Sequence, residues 1–132
     1  MSQTIADNLS VLKALNELKQ KTLSAERYYS HSQCHDLSMI PVYYERFKEI
    51  ASEKNRDNTK IFIFIMFFMY SPYSCVKRGV RGHTRRTIAR MLKISDVNVS
   101  IQFCDAKVLF EKHKGFRAET ERIYQLMRDV GK

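Results

Sequence analysis

Basic side chains are concentrated in one segment of this chain. Residues 58–95 contain no Asp or Glu and eight basic residues: Lys60, Lys77, Arg78, Arg81, Arg85, Arg86, Arg90 and Lys93. The whole chain has 23 basic and 14 acidic residues and a formal net charge of +9, so the charges outside this segment nearly cancel. Concentrated positive charge attracts polyanions and binds phosphates by releasing their counterions. A solvated face is the alternative, but eight cations without one acid favour phosphate contact.

The end of this segment has a pattern typical of two helices joined by a tight turn. Arg86-Thr-Ile-Ala-Arg-Met-Leu-Lys-Ile-Ser-Asp-Val-Asn-Val-Ser100 predicts a helix from about His83 to Leu92 and another from Asp96 to about Lys112. Ala89 is the small residue expected where the helices cross, and Asp96 is the predicted N-cap. The predicted shared core consists of Ile88, Leu92, Ile94, Val99 and Phe103.

Residues 84–108 resemble the helix-turn-helix units of bacterial repressors and of the promoter-reading domain of sigma factors. The shared spine is Ile-Ala-x-x-Leu-x-Ile-Ser…Val-Ser. One departure is that Lys93 occupies the turn position usually held by Gly, so a left-handed turn residue would be non-glycine, at modest cost. The resemblance implies double-stranded DNA as the partner. The phosphate contacts are then expected from Lys77, Arg78, Arg81, Arg85, Arg86, Arg90 and Lys93.

The resemblance also assigns base-contacting positions in the second helix. They fall at Asp96, Val97, Asn98 and Ile101, with Gln102 and Lys107 within reach of bases or phosphate. Asn98 can pair with an adenine edge and Val97 can meet a thymine methyl, but Ile101 offers nothing polar. We therefore predict base contacts from Val97, Asn98, Ile101 and Gln102. The alternative is the same fold used as a packing or protein-contact scaffold.

The wider order Tyr70-Ser-Pro…Gly79…Arg81…Ile88-Ala…Leu92 is similar to small uncharacterised proteins from bacterial mobile elements. This second resemblance brings no known activity with it. The charge and the helix-turn-helix resemblance predict a double-stranded DNA-binding protein, a small regulator or accessory factor of a bacterium or its mobile elements, and we expect it in the cytoplasm. The other class kept open is a structural or assembly protein, for example a phage component.

The elements around this motif predict an all-α fold, a single domain of about six helices containing a helix-turn-helix. At 132 residues the chain suits one domain, and Gly and Pro are scarce. Residues 1–57 are predicted to supply N-terminal helices, and residues 58–132 the helix-turn-helix core. Helices are expected at 5–23, 40–54 (with Pro41 in the first turn) and 116–130, and a loop at 26–38.

The first predicted helix has an apolar face that covers about half of its circumference, wider than the ~100° stripe of a surface helix. Its apolar positions are Ile5, Leu9, Val11, Leu12, Leu15, Leu18 and Leu23. Two interpretations stay open. The helix packs between two neighbours, or it also meets a second copy of the chain and forms a homodimer.

Ile61–Met69 is an unbroken run of nine apolar residues. A membrane span needs about twenty, so we predict a central core element and no membrane partner. The residue types alone do not separate strand from helix. Possible caps at Asp57, Asn58 and Thr59, and the stop at Pro72, favour a helix.

No catalytic, cofactor or small-molecule site is predicted. A phosphate-cradling Gly loop, Gly-x-Ser-x-Gly and His-Glu-x-x-His are all missing from the sequence. Glu119 and Glu121 lie in a charged predicted helix and are expected to be solvated. His31, Cys34 and His35 lack a second cluster with zinc spacing, so no metal is predicted. The dispersed Cys34, Cys75 and Cys104 fit a reducing cytoplasm.

Overall fold

The computed structural model describes residues 4–17, 36–75 and 82–128, without the side chains of residues 15–17 and 73. Within these ranges the protein contains no strand and two 3-10 turns, Leu37–Met39 and Pro72–Cys75. The same ranges hold six α-helices: α1 (Ile5–Glu17), α2 (Ile40–Ile50), α3 (Asn58–Tyr70), α4 (Gly82–Leu92), α5 (Asp96–Lys112) and α6 (Lys114–Met127). The predicted all-α fold of about six helices is confirmed.

Helix α3 is the centre of the fold. Every residue from Ile61 to Tyr70 is buried, as expected for a helix that is apolar on all sides. Buried residues from all six helices form one hydrophobic core around it. Ring contacts join α3 to three neighbours through the pairs Phe62–Tyr44 in α2 (4.9 Å between centroids), Phe67–Phe103 in α5 (4.2 Å) and Phe68–Tyr124 in α6 (5.2 Å).

The helical prediction for Ile61–Met69 is confirmed, but its expected side-chain cap does not form. Asp57 occupies the N-cap position and its carboxylate makes no capping hydrogen bond. Asn58 instead uses its Nδ2 atom to donate to the Ser52 carbonyl at 2.7 Å, which ties the helix start to the preceding turn. The helix ends at Tyr70, and Ser71 and Pro72 follow it, as predicted.

Helix α1 docks through one buried stripe, Ile5, Leu9 and Leu12. Its first turn is held by Glu121 of α6, whose carboxylate accepts the backbone N–H of Ile5 at 2.7 Å and that of Ala6 at 3.2 Å. The prediction that Glu121 is solvated is therefore wrong. Val11, on the adjoining strip of the predicted apolar face, is 41% exposed. The structure does not describe the side chain of Leu15, and Leu18 lies outside the described residues.

The other helix boundaries differ from the predicted ones by a few residues. Helix α2 has Pro41 in its first turn, as predicted, and ends at Ile50 rather than near Lys54. The predicted loop at 26–38 is described only from residue 36, and a 3-10 turn begins at Leu37. In the ranges that the structure covers, none of the helices has both the length and the apolar character needed to cross a bilayer.

Candidate nucleic-acid interface

Helices α4 and α5 are joined by a turn centred on Lys93. The backbone of Lys93 is left-handed, with a φ of 61°, as predicted for this non-glycine turn residue. The N–H of Ile94 donates to the Ala89 carbonyl at 3.0 Å, and that of Lys93 to the Arg90 carbonyl at 3.3 Å. This pair of bonds is the Schellman arrangement, which ends a helix and reverses the chain in a defined direction. The turn therefore sets how α5 leaves α4.

Helix α5 begins with a cap that differs from the predicted one by one residue. Ser95, rather than Asp96, is the N-cap, and its Oγ accepts the N–H of Asn98 at 3.0 Å. The predicted N-cap role of Asp96 is wrong. Asp96 occupies the first helical position instead, where its negative charge complements the positive end of the helix dipole.

The two helices share the predicted core. Ile88, Ala89, Val99 and Phe103 are buried, and Leu92 and Ile94 pack partly buried against them. A polar contact adds to this apolar one: the Arg85 Nη1 atom donates to the Ser100 Oγ at 3.3 Å. The Arg85 Nε atom is buried and has no hydrogen-bond partner within the described ranges. Arg85, predicted as a phosphate contact, is thus half-buried against α5.

Arg86 and Arg90 of α4, together with the turn residue Lys93, form a set of cations that we call the basic stripe. Arg86 and Arg90 are four residues apart and share one face of α4, Lys93 follows in the turn, and all three are exposed. No residue in the described part of the chain forms a salt bridge with any of them. The predicted phosphate contacts Lys77, Arg78 and Arg81 lie outside the described residues.

Three basic residues of other helices are each paired with an acid, whereas others, such as Lys112 and Lys114, are exposed and form no salt bridge within the described residues. In α2, Arg46 pairs with Glu49 at 3.1 Å and Lys48 with Glu45 at 3.2 Å. In α6, Arg122 pairs with Glu119 at 2.7 Å, and the hydrogen bond from Arg122 lowers the pKa of the Glu119 carboxyl. These cations are neutralised by an acid on their own helix. The basic stripe has no such acid and leaves its charge available to an external anion.

A line of exposed apolar residues runs along the outward side of α5. Val97 is 68% exposed, Ile101 and Val108 are each 55% exposed, and Cys104 is also exposed. Their spacing of four, three and four residues places them on one line, which we call the apolar stripe. Val99, Phe103, Ala106 and Phe110 repeat the same spacing two residues later and form the buried face.

The sequence prediction included Val97 and Ile101 but missed Cys104 and Val108 as members of the same stripe. The sequence contained a pattern that predicts this stripe. Helix α5 has two lines of apolar residues on opposite sides, and only one of them can face the core of its own domain.

The two amides predicted to contact bases are joined to each other. The Gln102 Nε2 atom donates to the Asn98 Oδ1 atom at 3.4 Å, and both residues are half-buried beside the apolar stripe. The Gln102 Oε1 atom is buried with no partner within the described ranges. Lys107 points away from this face, because its Nζ lies 3.4 Å from the Ser74 carbonyl oxygen and 4.9 Å from the centre of the Phe103 ring.

The residues considered for metal binding, His31, Cys34 and His35, fall outside the described residues. In the part of the chain that the structure covers, no three His, Cys, Asp or Glu residues come together in a way that could hold a metal ion. Cys75 is buried, and this burial raises the pKa of its thiol well above the ordinary value.

Comparison of this chain with protein-family models, with curated protein sequences and with solved structures finds no match.

Proposed function

We propose that this protein binds double-stranded DNA through α4, the Lys93 turn and α5, as a small regulator of a bacterium or a mobile element. The observation that carries the proposal is the basic stripe. Three exposed cations, two on one face of α4 and one in the turn that follows it, have no acid to pair them and supply the charge that a phosphate backbone requires. The left-handed turn supports the resemblance to helix-turn-helix units because it reproduces the chain reversal at the expected residue.

The charge distribution indicates that α4 mainly positions the protein on DNA. Phosphate contacts fix register and orientation but carry no sequence information. We assign them to Arg86, Arg90 and Lys93, together with the predicted Lys77, Arg78 and Arg81. Arg85 has a different role in this proposal: its bond to Ser100 braces α4 against α5, so it supports the interface more than it contacts phosphate.

A salt titration tests the proposal. Affinity for a duplex should fall linearly with salt in a log–log plot, by about 0.9 per neutralised phosphate. Changing Arg86 and Arg90 together to Ala should weaken binding to every duplex. It should also make the log–log slope shallower by about 1.8, which corresponds to two lost phosphate contacts. The matched control is Arg46 and Lys48 to Ala, because these α2 cations are already paired with Glu49 and Glu45.

The control should bind with the parent slope. A salt-independent affinity, or no binding at ~50 mM salt, would remove the DNA proposal, since electrostatic attraction is strongest there. Equal effects of the two double substitutions would show that only net charge matters and that α4 is not the contact surface.

A second function is favoured by the far end of the apolar stripe. Cys104 and Val108 are exposed beyond the first turns of α5, which are the turns that read bases in helix-turn-helix proteins. Exposed apolar lines of this length also occur at protein contacts. The alternative function is therefore a structural or assembly protein that uses α5 as a contact helix. Binding of a partner protein that Val108→Asp abolishes, in a chain without DNA affinity, would support it.

The homodimer through the N-terminal helix stays a prediction. Val11, 41% exposed, is the described residue of the adjoining apolar strip that could meet a second copy. Sedimentation at micromolar concentration, with and without duplex DNA, measures it directly. A dimer that Val11→Lys dissociates is the expected result, and a monomer under both conditions contradicts the prediction.

A further inference from the structure

The first two residues of the apolar stripe, Val97 and Ile101, lie where a DNA-reading helix would present its base contacts. We propose that they read the C5-methyl groups of thymine in the major groove, so that this chain prefers A·T-rich duplexes. This inference rests on the proposed DNA-binding function and names the kind of sequence that the same surface selects.

The turn at Lys93 places the start of the apolar stripe close to the basic stripe along the chain. Val97 follows the turn residue Lys93 by only four positions. On the other side, the Arg85–Ser100 bond fixes α4 beside the turn of α5 that carries both Val97 and Ile101. In the proposed complex, phosphate contacts to the basic stripe hold the duplex with its groove against Val97 and Ile101, and the exposed cations favour a polyanion as the occupant of this apolar face.

The chemistry of the two side chains decides what they can recognise. In the major groove, an A·T pair exposes the thymine methyl, whereas a G·C pair exposes two acceptors on guanine and an amino donor on cytosine. Val97 and Ile101 bury a methyl favourably and cannot hydrogen-bond. Against a G·C pair they would strip water from polar atoms without replacing its hydrogen bonds, which is unfavourable.

The neighbouring amides fit the same base pair. An amide can accept from the adenine N6 amino group and donate to N7. Asn98 stands next to Val97, and its orientation is held by the hydrogen bond that its Oδ1 accepts from Gln102. A carbonyl oxygen has two lone pairs, so this bond leaves one for adenine. Methyl contact and amide contact would thus select the same A·T pair.

The remainder of the stripe supplies an internal control. Val108 follows Val97 by eleven residues, about 16 Å along the helix axis at 1.5 Å per residue. Base contacts in helix-turn-helix proteins come from the N-terminal residues of the second helix. Val108 is as exposed as Ile101, at 55%, but lies beyond this reach. The same substitution at Val97 and at Val108 therefore separates methyl reading from a general loss of apolar surface.

The test compares duplexes that differ only in methyl groups. Replacing every thymine of an A·T-rich duplex by deoxyuridine removes the C5-methyl and keeps each hydrogen-bonding atom. Affinity measured by fluorescence anisotropy should fall by about fourfold for each methyl that the protein buries, from the transfer free energy of one such group. In a G·C duplex, 5-methylcytosine in place of cytosine puts the methyl back and should raise the affinity.

The variants assign the effect to residues. Val97→Ala and Ile101→Ala should each bring the ratio of thymine to deoxyuridine affinity towards one, and Val108→Ala should keep the parent ratio. Circular dichroism verifies that each variant is folded, which is expected because all three side chains are exposed.

Two outcomes overturn the inference. Equal affinity of the parent for thymine and deoxyuridine duplexes shows that methyl groups are not read, although DNA binding itself stands. Self-association that Val97→Ala and Val108→Ala weaken alike shows that the stripe is a protein contact. A chain that binds none of the duplexes at ~50 mM salt fails earlier, because the proposed DNA-binding function is then wrong.

Discussion

The carboxylate of Glu121 in α6 caps the start of α1: its Oε1 accepts the N–H of Ile5 at 2.7 Å, across 116 residues of sequence. Its Oε2 accepts the next N–H, from Ala6, at 3.2 Å. The Thr4 Oγ1 accepts the N–H of Asp7 at 3.0 Å. Three of the four free N–H groups at this helix start thus have acceptors. Two of them depend on a side chain from the far end of the chain, so α1 is fully capped only when it is docked.

Glu121→Gln should destabilise the protein by about 1–3 kcal/mol, because a charged acceptor of two hydrogen bonds becomes a neutral amide with a single oxygen. The measurement is chemical denaturation followed by circular dichroism. The matched control is Glu119→Gln, two residues away on the same helix. Glu119 pairs with the exposed Arg122, and loss of such a surface pair costs about 1 kcal/mol or less. Equal losses of unfolding free energy in the two variants would mean that the cap on α1 contributes no more stability than a surface ion pair.

The left-handed backbone of Lys93 gives a second prediction. A side chain costs about 1–2 kcal/mol in this region, and glycine avoids the cost but loses more backbone entropy on folding, about 0.5–1 kcal/mol. Lys93→Gly should therefore stabilise the protein by roughly 0.5–1 kcal/mol. Arg90→Gly, at an exposed position inside α4, should destabilise it by about 1 kcal/mol. The same Lys93→Gly protein should lose about one phosphate contact in the salt titration.

The opposite pattern in the denaturation experiment, a destabilised Lys93→Gly protein, would contradict the left-handed assignment. A stabilised protein with an unchanged salt slope would instead remove Lys93 from the basic stripe as a DNA contact.

Ala89 carries the third prediction. Ala89 is on the face of α4 that is buried in the core. Its carbonyl accepts the N–H of Ile94 at the turn. Ala89→Leu should overpack this site and cost about 1–3 kcal/mol. Ala118→Leu, the same change at an exposed position of α6, should change the stability by no more than about 0.5 kcal/mol. A fully stable Ala89→Leu protein would show that α4 is not packed as described.

The features that the sequence predicted correctly depend on short-range patterns. The two helices around Lys93 follow from apolar spacing, and the turn position follows from the resemblance to helix-turn-helix units. The helix at Ile61–Met69 follows from the possible caps before it and the stop at Pro72. In both cases the deciding residues lie within a few positions of the feature. Local spacing of this kind determines which element forms and which face is buried.

The features that the sequence did not predict depend on distant residues or on a competition between near-equivalent neighbours. Glu121 looks like one more charge on a polar helix, and only the folded chain brings it to Ile5. Ser95 and Asp96 are both good N-caps, and their order in the chain does not say which of them caps α5. Arg85 is one of several similar cations until its contact with Ser100 separates it from Arg86.

The last prediction concerns the two cysteines of the described ranges. Cys75 is buried, and the resulting loss of solvation raises the pKa of its thiol, an effect only partly offset by the positive charge of Lys107. Cys104 is exposed on the apolar stripe. Thiolate is the reactive form, so Cys104 should react with iodoacetamide at pH 8 while Cys75 stays unmodified in the folded protein. Mass spectrometry of a Cys34→Ser protein should therefore show a single added group. A protein that carries both Cys34→Ser and Cys104→Ser should show none until denaturant is added. Rapid modification of Cys75 in this second protein, without denaturant, would contradict this prediction. It would mean that the Pro72–Cys75 turn opens readily, although Cys75 is buried in the folded protein.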